Sequence, residues 1–358
     1  MNTPLPTRTL IVIFGGRSAE HDVSCVTAAH VIRATDPTVY RIVVIGITRD
    51  GEWVSPTDVQ SILDSHSRDI PTSLTATGEP VSPSLISDLA KKDSVVVVPL
   101  LHGPLGEDGT IQGMLEMLDV PYVGSGVLSC AVAMDKVTSK QLLGANDIPQ
   151  CRWTSRHVSE ITDSTFDDII AELSLPLFVK PANMGSSVGI SKVKSREDLV
   201  TAVTTASAYD EWIIFEEAVQ GREIEVSVLG NLAPRASIAG EIIPGNEFYD
   251  YDDKYVTDGA QLLVPAPLTE EQMETVQHLA VHSYRALRCE GMARVDFFFE
   301  ENGRGFLCNE INTIPGFTPI SMYPKLWNAS GLEYSRLIDE LVSLAQERYE
   351  RRPRTTSC

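Results

Sequence analysis

Ala293–Phe299 reads ARVDFFF and Phe306–Asn312 reads FLCNEIN, joined through Glu301-Asn302-Gly303-Arg304-Gly305. This pair is the sharpest local signal in the chain. Strand alternation places Arg294, Asp296 and Phe298 on one face of the first segment. It places Phe306, Cys308, Glu310 and Asn312 on one face of the second. The Asn-Gly connector is a hairpin signal. Centred on Gly303, the pairing sets Asp296 opposite Glu310 and Arg294 opposite Asn312, and a one-residue slip would break it. In that register two carboxylates and an amide oxygen converge beside an arginine. Oxygen donors without His or Cys suit Mg²⁺ or Mn²⁺, above all where phosphates complete the shell. From spacing alone, an exposed strand face carrying a salt bridge accounts for the same residues about equally well.

Working back along the chain, Lys180–Gly189 (KPANMGSSVG) follows a predicted strand, Pro176–Lys180. Small residues let backbone N–H groups close on a phosphate, and the lysine supplies charge. The stretch is neither a Walker loop nor a G-x-G-x-x-G fingerprint, and most Gly/Ser loops are only loops. Lys136 lies on a predicted helix beside Asp135, where a lone lysine is ordinarily solvated. Glu216-Glu217 follow a predicted strand, Trp212–Phe215, and Gly221-Arg222-Glu223 open the next. Acids at a strand end can hold ribose hydroxyls or an adenine amino group, although a charged turn is the commoner use.

The beginning of the chain alternates strands and helices. Thr9–Phe14, Arg41–Ile47 and Ser94–Leu100 are nearly continuous Val/Ile/Leu, as in parallel strands covered on both faces. Gly15–His21 (GGRSAEH) follows the first strand and His102–Gly109 (HGPLGEDG) the third, at the carboxyl ends where open α/β sheets bind ligands. Ser55–Lys92, rich in Ser, Thr, Asp and Pro, reads as a surface excursion with one short helix. The N-terminal part is thus an open parallel-sheet α/β unit of roughly 125 residues. Farther on, Ser195 with Asp198 opens a helix in approximate capping-box style, and Thr269 with Gln272 forms a cleaner box. Pro244-Gly245 marks a turn before the polar, aromatic-rich Asn246–Gly259. An amphipathic helix near Leu332–Leu344 precedes a polar tail, Arg351–Cys358, expected to be disordered.

With 358 residues the chain is longer than one core usually supports, so two or three domains are expected. A formal net charge of −20 argues against DNA, RNA or an anionic membrane as partner. The six cysteines form no CxxC pair, which points to free thiols in a reducing compartment rather than zinc or disulfides. No apolar run is long enough for a bilayer, and the start of the chain reads as a first strand rather than a secretion signal. A cytoplasmic protein is expected.

The order of the motifs carries more than any one of them. GGRSAEHDVS, LHGPLGEDGTIQG, MDK, VKPANMGSSVGISKV, EFYDYDDKY, ARVDFF and NEINTIPGFTPISMYPK follow in sequence. Together they closely resemble the D-alanine–D-alanine ligase family of the ATP-grasp superfamily, from about Thr9 to about Leu344. The resemblance implies an N-terminal α/β domain (1–130) followed by a two-lobed ATP-grasp fold: a central lobe (131–225), and a C-terminal lobe (226–350) with metal and substrate loops. Residues 351–358 would be the tail. It implies ATP as co-substrate and two Mg²⁺ ions, with Mn²⁺ as the alternative, held by Asp296, Glu310 and Asn312. Lys136, Lys180 and Ser187 would bind nucleotide phosphates, Glu216, Glu217, Ala218 and Val219 adenine, and Glu223 ribose. Glu20 would take the ammonium of the first D-alanine, with His102 nearby. Ser186 and Tyr255 would close a network with Glu20, beside Lys254. Arg294 and the backbone N–H of Gly316 would stabilise the oxyanion, and Ser321 and Met322 would meet the carboxylate of the second substrate. Asn246–Gly259 would be the lid.

The implied activity is ATP-dependent joining of two D-alanines through an acylphosphate, for peptidoglycan precursors, by a homodimer formed through the N-terminal domain. Another ATP-grasp carboxylate–amine ligase would keep the ATP half but not the Glu20 turn or the TPISM loop. A silent nucleotide-binding module would lack part of the Arg294, Asp296, Glu310 and Asn312 set.

Overall fold

The computed structural model describes residues 8–64, 70–245 and 261–352. Three sheets organise it. The first has the order β4-β3-β2-β1-β5, with β1 (Arg8–Gly15), β2 (Tyr40–Ile47) and β5 (Val95–Pro99) parallel. The short strands β3 (Trp53–Ser55) and β4 (Glu79–Pro80) extend one edge antiparallel. As the unbroken apolar runs predict, alternate residues go to opposite cores. Leu10, Val12 and Phe14 pack on one face, and Ile11 and Ile13 on the other.

Ser55–Lys92 is more than a surface excursion. It contains two helices, Thr57–Asp64 and Ser84–Ala90, and supplies strand β4. It also buries Val59, Ile70, Leu74, Ala76 and Ile86. A handful of apolar residues spaced among Ser and Pro is enough to cover the sheet, and no helical or strand period marks it.

The second sheet is antiparallel, ordered β6-β9-β7-β8: β6 (Trp153–His157), β7 (Leu177–Pro181), β8 (Ser191–Val193) and β9 (Trp212–Glu217). The third, also antiparallel, is ordered β12-β11-β10-β13-β14. Its strands are β10 (Arg222–Leu229), β11 (Arg235–Ile243), β12 (Gln261–Leu263), β13 (Met292–Glu300) and β14 (Gly305–Asn312). The helix Glu270–Ala286 packs on this sheet and opens with the predicted Thr269/Gln272 capping box. The other box is incomplete: the Asp198 carboxylate accepts from Ser195 N–H at 3.1 Å, but the helix begins only at Asp198. Among the described residues no helix is long and apolar enough to cross a membrane.

The last helix, Tyr334–Arg351, outruns its predicted end by a further two turns. Leu337, Ile338, Leu341, Val342 and Ala345 on it share a core with Leu10, Val12, Val96 and Val98 of the first sheet. Near its end Arg348, only 3% exposed, donates to the carbonyls of Gly124 and, at 3.0 Å, Tyr122. Its guanidinium lies 4.2 Å over the Tyr122 ring. Arg348→Met leaves two buried carbonyls without donors, so the unfolding free energy should drop by about 2–4 kcal/mol. Urea titration measures this, and a change under about 0.5 kcal/mol, the level of an ordinary surface substitution, would show that the carbonyls find other donors.

Candidate active site

The β13–β14 hairpin pairs Arg294 with Asn312 and Asp296 with Glu310, as the sequence predicts. Nearer the turn the register differs. Phe297 pairs with Cys308 and Glu300 with Gly305, so Asn309 is the extra residue of a β-bulge. The bulge reverses the alternation of β14. Phe306 and Cys308 therefore point into the core with Phe297 and Phe299, and do not share a face with Glu310 and Asn312. Straight alternation cannot survive one inserted residue, and this corrects the single-face reading of FLCNEIN.

Arg294 forks onto Asp296, with Nε to Oδ1 and Nη2 to Oδ2 both at 2.7 Å, and lies 3.0 Å from Glu225. Burial works against its charge, but Asp296 and Glu225 overcome that and hold its pKa well above the usual value. Asn312 donates to Asp296 at 2.9 Å. Glu225, on β10 opposite Asp296, was not singled out from the sequence. Alternation from Glu223 through Glu225 toward the Arg294 face is the signal that could have found it.

Asp296, Glu310 and Asn312 give one wall of the cleft hard oxygen donors. Asp296 already accepts from Arg294 and Asn312, yet a carboxylate has about four lone-pair sites. Among the described residues no group of three or more His, Cys, Asp or Glu could form a metal cage. Two carboxylates and an amide are the donor types that Mg²⁺ or Mn²⁺ would take where phosphate and water complete the shell.

Across the cleft, Lys180 on β7 bonds Glu216 Oε2 at 2.5 Å, and Lys140 approaches Oε1 at 3.1 Å. Burial alone would raise the Glu216 pKa, but the two lysines override it and hold it at about 2. Lys140 is a second residue the sequence reading passed over, although it follows Lys136 by four residues on one helix. Lys136 reaches the Met184 carbonyl at 2.5 Å. The Glu217 carboxylate is turned to Arg152 and Arg304, at 2.8 and 2.5 Å.

Ser186 and Ser187 both adopt left-handed backbone, φ 48° and 59°, which is uncommon for residues with a side chain. This conformation aims the Ser186 hydroxyl at Glu20, to which it donates. Glu20 is also enclosed by glycines. A Cβ on Gly103, itself at φ +72°, would stand 2.5 Å from Glu20 Oε2. His102 Nδ1 lies 3.1 Å from the Ile314 carbonyl and 3.3 Å from Glu107, with Nε2 3.2 Å from Thr27 Oγ1. Burial opposes protonation there, but Glu107 and Glu20 outweigh it and raise the His102 pKa. Gly316 packs on Ser321, whose hydroxyl accepts from Thr318 N–H at 3.0 Å.

These groups line two adjoining cavities. The larger, about 480 Å³, takes in Lys180, Glu216, Ala218, Val219, Glu223 and Asp296. The smaller, about 130 Å³, takes in Glu20, His102, Gly316, Ser321 and Met322. Lys136, Ser186, Arg294 and Glu310 border both and mark the passage between them. Lys254, Tyr255 and the expected lid lie outside the described residues.

Known proteins supply the remaining comparison. Residues 9–125 match the D-ala D-ala ligase N-terminus family and residues 142–343 the D-ala D-ala ligase C-terminus family. A D-alanine–D-alanine ligase of Geobacillus thermodenitrificans is 46% identical over 96% of this chain and 97% of its own. One from a Thermoanaerobacter species is 47% identical over 97% and 99%. The solved D-alanine–D-alanine ligase of Coxiella burnetii superposes with TM-score 0.80 at 34% identity, covering 96% of both chains. VanG D-Ala:D-Ser ligase of Enterococcus faecalis gives 0.82 at 34%, over 95% of this chain and 99% of that one. With both family halves matched in order over nearly its whole length, the chain belongs to the D-alanine–D-alanine ligase family.

Proposed function

We propose that the chain joins two D-alanines into D-alanyl-D-alanine at the expense of ATP, in the cytoplasm, for peptidoglycan precursors. The observation that carries this reading is Arg294 at the passage between the two cavities, with Glu20 lining the smaller one alone. A carboxylate does not react with an amine unaided. ATP in the larger cavity phosphorylates the first D-alanine to an acylphosphate, and the amine of the second displaces phosphate.

Each residue has a place in that sequence. Glu20 holds the first ammonium, and Ser186 fixes the Glu20 carboxylate. Lys136, Lys180 and the Ser187 loop neutralise and orient the phosphates, while Ala218, Val219 and Glu223 line the nucleoside end. Asp296, Glu310 and Asn312 would hold Mg²⁺ or Mn²⁺, which lowers the charge barrier to phosphoryl transfer. Arg294 and Gly316 N–H stabilise the tetrahedral oxyanion. Ser321 and Met322 receive the second carboxylate.

An acylphosphate must be kept from water. Strands β11 and β12 pair Ile242 with Leu262, and both residues border the smaller cavity. The connection between the strands therefore leaves from and returns to the cavity, which supports a lid role for Asn246–Gly259. We extend the proposal to a homodimer through the N-terminal domain. Met117 and Leu128, 89% and 55% exposed on neighbouring helices, offer it apolar surface.

The likeness to a D-Ala:D-Ser ligase leaves the acceptor as the point to test. D-alanine-dependent phosphate release with Mg-ATP, with D-lactate and D-serine offered as competitors and products weighed by mass spectrometry, decides it. D-alanyl-D-alanine as main product supports the reading, and a depsipeptide or D-alanyl-D-serine overturns the acceptor. Tyr255→Phe should raise D-lactate use relative to D-alanine; an unaltered product ratio would remove Tyr255 as the acceptor gate.

A further inference from the structure

Glu216 is held by more cation than a carboxylate needs. It is 2% exposed and lies between Lys180 of β7 and Lys140 of the helix Lys136–Ala145. The two lysines differ in what else they can reach. Lys180 borders the larger cavity, at the strand end beside the Ser186–Ser187 loop. Lys140 is also 2% exposed and borders neither cavity. Its ammonium also lies 3.6 Å from the Cys151 thiol. Burial pushes the Cys151 thiol up, and the Cys308 thiol up to about 12, so neither competes for the ammonium near neutral pH.

In the phosphate-binding role proposed for it, Lys180 loosens from Glu216 as its ammonium turns toward arriving phosphate. Were Lys180 the only cation on Glu216, that move would strand a buried carboxylate, which is strongly unfavourable. We infer that Lys140 is a positioning residue, the permanent counter-ion of Glu216 that releases Lys180 to the nucleotide. The inference rests on the proposed reading of Lys180 as a phosphate-binding residue.

The test is the pH dependence of ATP use. In Lys140→Met, one lysine still faces one carboxylate, so the buried charges stay balanced in the resting protein. ATP that draws Lys180 away then obliges Glu216 to take up a proton. The bound form holds one proton more than the free form, so affinity falls as pH rises. The KM for ATP, divided by that of the unaltered protein at each pH to cancel the titration of ATP itself, should climb by about tenfold per unit over part of the range from about pH 6 to 8. Glu216→Gln added to Lys140→Met removes the proton site and should flatten the ratio.

A flat ratio in folded Lys140→Met, or a slope that persists in the double variant, overturns the inference. Should Lys140→Met not fold, Lys140→Gln keeps a donor without the charge and is read in the same way. Lys180→Met, which leaves the Lys140–Glu216 pair intact, should raise the KM for ATP by the same factor at every pH. An unchanged KM there would sink the phosphate reading of Lys180, and the inference with it. A raised KM with a pH-flat Lys140→Met would sink the inference alone.

Discussion

Arg294→Ala is expected to lower kcat by about a hundredfold or more, with only a modest change in the KM for ATP. One preorganised donor to an oxyanion contributes about 3 kcal/mol to the transition state. Arg294 borders both cavities, so in the proposed role its guanidinium would meet the atom at which charge develops, and most nucleotide contacts would lie elsewhere. The same substitution also leaves Asp296 and Glu225 facing each other without their shared cation. Some loss of thermal stability should accompany the loss of rate, and kcat should be measured well below the melting range. Arg294→Lys keeps the charge but not the fork and should fall between the two. Steady-state assays showing unchanged kcat for Arg294→Ala would exclude it from the chemistry.

Glu20→Ala should raise the KM for the first D-alanine by roughly tenfold to a hundredfold, the size of one hydrogen bond to a charged group. Affinity for ATP should hold, because Glu20 borders only the smaller cavity. Initial rates at varied D-alanine, together with equilibrium binding of ATP alone, separate these effects. Equal weakening of both ligands would mean that Glu20 supports the Ser186 loop rather than a substrate.

Both residues were legible in the sequence, though for different reasons. Arg294 and its register followed from strand alternation and an Asn-Gly connector. Two departures from the ideal hairpin cancel at the site. The loop Glu301–Arg304 shifts the turn by half a residue, and the bulge at Asn309 restores the pairing of Asp296 with Glu310. The faces of Phe306 and Cys308 were misread, since nothing in FLCNEIN marks which residue bulges. Glu20 could be identified only through its place in an ordered series of motifs, since a carboxylate after a Gly-Gly turn has no chemistry of its own. For Lys140 and Glu225 the sequence offers only periodicity, since a buried ion pair shows itself once the partner from another element is in place. The packing of residues 70–92 was hidden likewise, being set by the sheet they cover.

The position of the last helix bears on how the protein is made. Its apolar face completes the core beneath strands that precede it by more than 200 residues, and Arg348 is tied to carbonyls at positions 122 and 124. During synthesis, the first sheet must wait for residues 334–351 to leave the ribosome before that face is covered. The N-terminal unit is therefore contiguous in sequence but not autonomous in assembly. A chain cut short by its final helix loses part of the foundation of its first domain.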